Sequence, residues 1–142
     1  MLVILATLII ITIQWVKDRA LPTRLKVKVR IPFSLYLGWI SVATIVNLSV
    51  LAKYTEWNVL GLSEPTWVVI MTTVGVAVAV LILLATHDVV YPLVFVWAYI
   101  AIAVAQPESE HIRLTALGWA VVLLIIDAAY FIRQRQRKKV LA

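Results

Sequence analysis

The chain contains no cysteine and has few glycines, prolines or acidic residues. Its 142 residues include four glycines, five prolines and seven acids. Without cysteine, disulfide bonds, thiol catalysis and cysteine-ligated metals are excluded. The sequence also has no nucleophile elbow, no phosphate-binding glycine loop and no HExxH motif. We therefore expect neither an enzyme nor a metal site, and we expect no pair of buried carboxylates.

Apolar residues are what the chain has in abundance. Hydrophobic residues make up 63% of the sequence, and charged residues make up only 14%. A soluble domain of this size would carry more charge, because most of its residues would lie at its surface. The composition predicts an integral membrane protein.

Five apolar runs predict five transmembrane helices in a single all-α domain over residues 1–142. The predicted helices cover about 1–16, 31–51, 66–85, 89–105 and 112–132. The second run is long enough to cross a hydrocarbon core of about 30 Å. Every proline falls in a connector or a first turn, so no helix is predicted to be broken. Aromatic residues near the predicted helix ends are interpreted as anchors at headgroup depth: Trp15, Tyr54, Trp57, Trp67, Tyr91 and Tyr130.

The basic residues fall in two clusters. Six lie in residues 17–30 and five in residues 133–139, together eleven of the thirteen. Five crossings place both clusters on one side, so the positive-inside bias predicts an outside N-terminus and a cytoplasmic C-terminus. The chain is expected to contact the lipid bilayer, and its anionic headgroups should bind the C-terminal tail and Arg24, Lys26, Lys28 and Arg30. Topology accounts for the net charge of +6, and no nucleic-acid partner is expected.

The second predicted helix has two distinct faces. At 100° per residue, Tyr36, Trp39 and Asn47 share one face, and Ser34 and Gly38 lie on the opposite face. The small-residue step from Ser34 to Gly38 is typical of a close helix–helix approach. The other face is a candidate binding site, in which two aromatic rings stack a flat ligand and an amide bonds its polar edge. The alternative is that the rings pack and the amide bonds a neighbouring helix.

Asp127 is the only acid within an apolar run. Acids inside a membrane are costly and mark functional sites by default. However, Asp127 precedes Arg133 by six residues, about 9 Å of helix, which places it near the cytoplasmic edge. Two interpretations stay open, a proton-relay group or a structural partner for cations of the first loop. His87 and Asp88 are interpreted as solvated residues of a short turn.

Three segments resemble the tryptophan-rich sensory proteins, bacterial membrane proteins related to TspO/MBR. The first is IPFSLYLGWISVATIVNLS at 31–49. The second is WN-x-x-GLS-x-x-TW-x-x-IM at 57–71, and the third is HDVVYPLVFVWAYIAIAV at 87–104. A closing helix that carries Trp119 follows. The resemblance covers about residues 30–132, and the motif in the second helix is fairly specific.

This resemblance implies an all-helical protein of the bacterial cytoplasmic membrane. The family is associated with binding tetrapyrroles or other flat hydrophobic ligands, and with sensing or transport. Members of this branch look longer, with a proline- and aromatic-rich segment ahead of the matching part, so no binding residue from that segment is transferred here. The incomplete match also supports an alternative function as a small structural or accessory subunit of a larger membrane complex. Such a subunit would co-purify with other membrane subunits at a fixed ratio.

Overall fold

A computed structural model describes residues 2–17, 23–54 and 63–140. Within these ranges the chain forms five helices: α1 (Leu2–Lys17), α2 (Thr23–Tyr54), α3 (Glu64–Thr86), α4 (Val90–Ala105) and α5 (Glu110–Val140). The same ranges contain no β-strand. The all-α prediction with five helices is therefore confirmed.

Three of the five helices are long and apolar enough to cross a membrane. These spans are Arg30–Leu51 in α2, Pro65–Thr86 in α3 and Glu110–Gln136 in α5. The other two helices are shorter, with apolar stretches at Val3–Thr12 and Val90–Ala105. Three helices are therefore long enough to cross a typical bilayer. That all five helices cross it stays a prediction.

The boundaries of α2 and α5 differ from the sequence-based expectation. α2 begins at Thr23, so residues 23–30 of the first basic cluster are helical and Pro32 lies inside the helix. The prediction that every proline lies in a connector or a first turn was wrong for Pro32, although the helix continues through this position. Proline removes one backbone hydrogen bond, and membrane helices tolerate this because side chains, water and neighbouring helices satisfy the freed group. α5 continues to Val140, since Arg, Gln and Lys are good helix formers.

α4 lies at the centre of the bundle, where it contacts α2, α3 and α5. Its buried face carries Tyr91, Phe95 and Tyr99 at four-residue intervals, so the three rings lie above one another. Their ring centroids are 5.4 Å and 6.3 Å apart in successive pairs. The Tyr99 hydroxyl donates to the Thr72 carbonyl of α3 at 2.6 Å. This aromatic column forms the core against which α2, α3 and α5 pack.

Small residues let the neighbouring helices approach α4. Gly38 of α2 lies so close to Val94 that a Cβ built on it would fall 2.8 Å from Val94 Cγ2. Gly75 of α3 faces the Tyr99 hydroxyl and the Phe95 ring in the same way. The small-residue face that includes Ser34 and Gly38 was predicted to permit a close approach, and the structure confirms it.

Candidate functional site

The predicted ligand-binding residues lie on the outer face of α2. Tyr36 and Trp39 are each 49% exposed, while Ser34 and Gly38 are buried on the opposite side of the same helix. This arrangement follows the two-face pattern of the sequence. Asn47 is also exposed, two turns or about 12 Å beyond Trp39, and it has an interaction partner of its own.

Trp39 is paired with a residue that the sequence analysis did not single out. Trp97 of α4 lies beside it, with ring centroids 5.5 Å apart and ring planes inclined at 41°. Trp97 is 58% exposed, so the two indoles form one aromatic surface on the outside of α2 and α4. The sequence spacing could have identified Trp97, because it follows Phe95 by two positions and therefore points away from the buried column.

A polar cluster lies where α3 ends and α4 begins. His87 ends α3 in the left-handed conformation, with φ 57° and ψ 36°, and its N–H bonds the Leu83 carbonyl. A left-handed residue at this place is a common helix terminator. The reversal turns Asp88 into the bundle, where Asp88 Oδ1 accepts the Val90 N–H at 2.9 Å. Asp88 thereby satisfies a free amide at the start of α4.

Asp88 also binds two residues of α2. Arg30 Nε donates to Asp88 Oδ2 at 3.1 Å, and an Nη of Arg30 donates to the Thr86 carbonyl. The Ser34 hydroxyl contacts Asp88 Oδ2 and also lies 2.9 Å from the Arg30 carbonyl. A serine hydroxyl has one hydrogen, so Ser34 donates to one of these oxygens at a time. The cluster joins α2 to the turn between α3 and α4.

Two sequence-based interpretations are corrected here. Asp88 is only 6% exposed and is not a solvated turn residue, because its carboxylate is held by Arg30 and Ser34 instead of water. Asp127 is 7% exposed. The chain therefore contains two buried carboxylates, contrary to expectation.

α5 also contributes residues to the polar cluster. The Tyr130 hydroxyl is hydrogen-bonded to His87 Nδ1, and the two rings stack with centroids 6.0 Å apart and planes inclined at 13°. One turn before Tyr130, Asp127 has an Oδ1 with no hydrogen-bond partner among the described residues. Arg30 of the first basic cluster pairs with Asp88 instead. The other cations proposed to pair with Asp127 have side chains outside the described residues.

Tyr91 belongs to the interior and not to the membrane interface. Its side chain is 1% exposed, and its hydroxyl donates to Ser41 Oγ of α2 at 2.9 Å. Ser41 in turn donates to the Leu37 carbonyl at 2.8 Å. The prediction of an interfacial anchor was wrong for Tyr91, because α4 is surrounded by helices at this level.

Comparison with known proteins identifies a matching family. The family model described as TSPO-like protein matches residues 1–129 of the chain. No curated protein and no solved structure matches it. The matched region includes the aromatic surface of α2 and α4 and all residues of the polar cluster except Tyr130.

Proposed function

The chain belongs to the TSPO-like protein family, and from that premise we propose that this integral membrane protein binds a planar hydrophobic ligand on the aromatic surface of α2 and α4. The proposed ligand class includes tetrapyrroles. The role is binding for sensing or transport, not catalysis. The observation that carries the proposal is the pair of half-exposed indoles, Trp39 and Trp97, held 5.5 Å apart.

The geometry of this pair suits a flat molecule. Indole rings present large, rigid apolar faces at little cost in conformational entropy, and they stack on other rings in offset or tilted arrangements. Because both rings lie on the outside of the bundle, a hydrophobic ligand would reach them from the lipid phase. Tyr36 lies one turn before Trp39 on the same helix face, where its hydroxyl would bind a polar group at the ligand edge.

Asn47 is placed in this site as a more distant polar contact. It lies about 12 Å along α2 from Trp39, so only an extended ligand would touch both. An amide offers two donors and an acceptor oxygen, which is the chemistry that a polar ligand edge requires. Asn47 is therefore assigned to the far end of the ligand and Trp39 to its centre.

Removing the central ring is expected to weaken ligand binding. Trp39→Ala should reduce the affinity for protoporphyrin IX about tenfold, because a stacked ring and its buried area are lost. Trp39→Phe should retain most of the affinity. Binding is measured by the visible absorbance of the porphyrin with protein purified in mild detergent, and particle mass is read from the same sample.

The matched control is Leu81→Ala, which removes an exposed apolar side chain from α3. An equal loss of affinity in both alanine variants would contradict the site. A large particle with other subunits at a constant ratio, and no porphyrin binding, would instead support the accessory-subunit function.

The proposed orientation places the C-terminal end of α5 in the cytoplasm, in a bacterial cytoplasmic membrane. Its basis is the concentration of basic residues in two segments. Contacts with anionic headgroups are proposed for Arg24, Lys26, Lys28 and the C-terminal tail. Arg30, the last residue of the first cluster, has its guanidinium bound to Asp88, so only the exposed part of its side chain is available to a headgroup.

The cysteine-free chain allows a direct test of this orientation. Single cysteines are introduced by Glu108→Cys, in the turn between α4 and α5, and by Gln136→Cys near the end of α5. Both positions are exposed. A membrane-impermeant maleimide applied to intact spheroplasts should label the first variant and label the second only after permeabilisation. The reverse pattern would invert the topology.

A further inference from the structure

A cleft lies at the end of the bundle that carries the turn between α3 and α4. Arg30 of α2 and Tyr130 of α5 both bond to residues of this turn. Past these contacts α2 extends by about 10 Å and α5 by about 15 Å, whereas α3 and α4 stop at the turn. We call this space the end cleft. Its floor is the turn, and its walls are residues 23–29 of α2 and 133–140 of α5.

The two walls of the end cleft stand apart. Both α2 and α5 pack against α3 and α4, but in the described ranges they do not contact each other. The axes of packed helices are about 8–10 Å apart, so two helices on opposite sides of a helix pair are separated by roughly 15 Å. This space is wide enough for a phosphate group and narrow enough for Lys and Arg side chains to reach it from both walls.

The charged residues of both walls are all basic. Residues 23–29 contain three basic residues, residues 133–140 contain five, and neither segment contains an acid. The chain has three aspartates, of which Asp88 already binds Arg30. The four glutamates, at positions 56, 64, 108 and 110, fall in the sequence at the opposite ends of α2, α3 and α5. The wall cations therefore outnumber the two other aspartates by six, and an external anion is needed to balance them.

The helical register places basic positions beside the end cleft on both walls. Lys26 precedes Arg30 by four residues, so it shares the face of α2 that contacts the turn. Arg133 and Arg137 follow Tyr130 by three and seven residues and share the face of α5 that contacts the turn. The Arg133 side chain is exposed. Each wall thus has at least one cation at the position where an anion in the cleft would lie.

The depth of the end cleft favours a lipid as the source of this anion. The apolar spans Arg30–Leu51 and Pro65–Thr86 both end at the level of its floor, so the walls lie at headgroup depth. Directly beyond the floor, α2 and α5 expose apolar side chains, among them Ile31, Leu35 and Ile132. Acyl chains can pack on these side chains, whereas a soluble anion gains nothing from them.

We propose that the end cleft binds one phospholipid whose headgroup carries two phosphate groups, with its acyl chains along the apolar surfaces of α2 and α5. The inference rests on the headgroup contacts proposed above and gives them a defined place and ligand. Basic pockets between transmembrane helices are suited to such headgroups. Two walls of like charge repel each other, and a headgroup with two negative charges offsets this repulsion more fully than one with a single charge.

Lipid titration with native mass spectrometry tests the proposal. The protein in mild detergent is titrated with tetraoleoyl cardiolipin, which has two phosphates, or with dioleoyl phosphatidylglycerol, which has one. One cardiolipin should bind per chain, with an affinity about tenfold higher than that of phosphatidylglycerol. Equal binding of the two lipids when they are added at equal total charge would overturn the proposal. If neither lipid binds, the headgroup contacts themselves are also overturned.

Matched substitutions separate the end cleft from diffuse attraction to the basic segments. Lys26→Gln and Arg133→Gln each remove a cation beside the cleft and should lower the affinity for cardiolipin about fivefold. Lys28→Gln, on the opposite face of α2, and Arg135→Gln are the controls and should lower it less than about twofold. Arg135 lies 4.5 Å from the centroid of the Phe131 ring on the exposed surface of α5. Equal losses in all four variants would mean that no defined cleft site exists.

Inorganic pyrophosphate tests the need for acyl chains. It carries two phosphates without apolar groups, so it should bind about a hundredfold more weakly than cardiolipin. If it binds as tightly, the end cleft is a site for a soluble diphosphate, and the lipid assignment is wrong. None of these measurements contains a porphyrin, and the porphyrin assay contains no cardiolipin. Failure of the lipid site therefore leaves the proposal for the aromatic surface untouched, and the reverse also holds.

Discussion

Replacing Asp88 with alanine is expected to destabilise the protein by about 3 kcal/mol, the low end of the cost of breaking a buried ion pair. The substitution removes the partner of Arg30, the contact with Ser34 and the acceptor of the Val90 N–H. Loss of the helix-capping bond alone costs about 1 kcal/mol. The ion-pair cost stays at the low end because the Arg30 side chain is 38% exposed and can be rehydrated.

The loss is measured as the free energy of unfolding by SDS titration in mixed micelles. Glu108→Ala removes an exposed acid from the α4–α5 turn and should change stability by no more than about 0.5 kcal/mol. A double-mutant cycle with Arg30→Ala isolates the interaction energy between Arg30 and Asp88 from the effects of their other contacts. If Asp88→Ala costs no more than Glu108→Ala, the pairing of α2 with the turn does not contribute to stability.

Gly38→Ala is expected to destabilise the bundle, and Gly118→Ala is expected to stabilise it or leave it unchanged. At Gly38 the added Cβ would meet Val94 Cβ at 2.9 Å and Val94 Cγ2 at 2.8 Å. Because the Val94 Cβ is fixed to its own backbone, α2 and α4 have to separate. Overpacking of this kind costs about 1–3 kcal/mol. Gly38→Leu should cost more.

At Gly118 a new Cβ would have no atom within 4 Å. Alanine there gains up to about 1 kcal/mol from its higher helix propensity. The same chemical change is thus expected to have opposite signs at two helical positions of one chain, measured by the same SDS titration. Equal effects at both positions would mean that α2 and α4 are not in the close contact described.

Patterns local in sequence predicted the helices and the two faces of α2. Apolar runs, their lengths and the 100° spacing placed Ser34 and Gly38 on one face of α2 and Tyr36 and Trp39 on the other, because these properties depend only on neighbouring residues. The prediction that every proline lies in a connector or a first turn was wrong for Pro32, because a membrane helix tolerates a lost hydrogen bond that usually ends a soluble one. Helix ends are in any case less well determined than helix centres.

The polar cluster could not be predicted in the same way. Arg30 and Asp88 are 58 residues apart, and nothing in the sequence near either residue identifies the other. The left-handed conformation at His87, where glycine is more usual, is what turns Asp88 inward. A short polar turn between apolar runs normally faces water, and only the packing of α2 and α5 around it reverses that expectation. The pairing of Trp39 with Trp97 likewise depends on how α2 lies against α4.

The central position of α4 has a consequence for the surrounding lipid. With 16 residues, α4 is about 24 Å long, several ångströms less than a typical hydrocarbon core of about 30 Å. Neighbouring helices cover α4 on three sides and separate it from lipid there. The flank that carries Trp97 and Ile100 is exposed. A bilayer matches a short hydrophobic surface by becoming thinner beside it. The membrane is therefore expected to be locally thin along this flank, and lipids with shorter acyl chains should be enriched there.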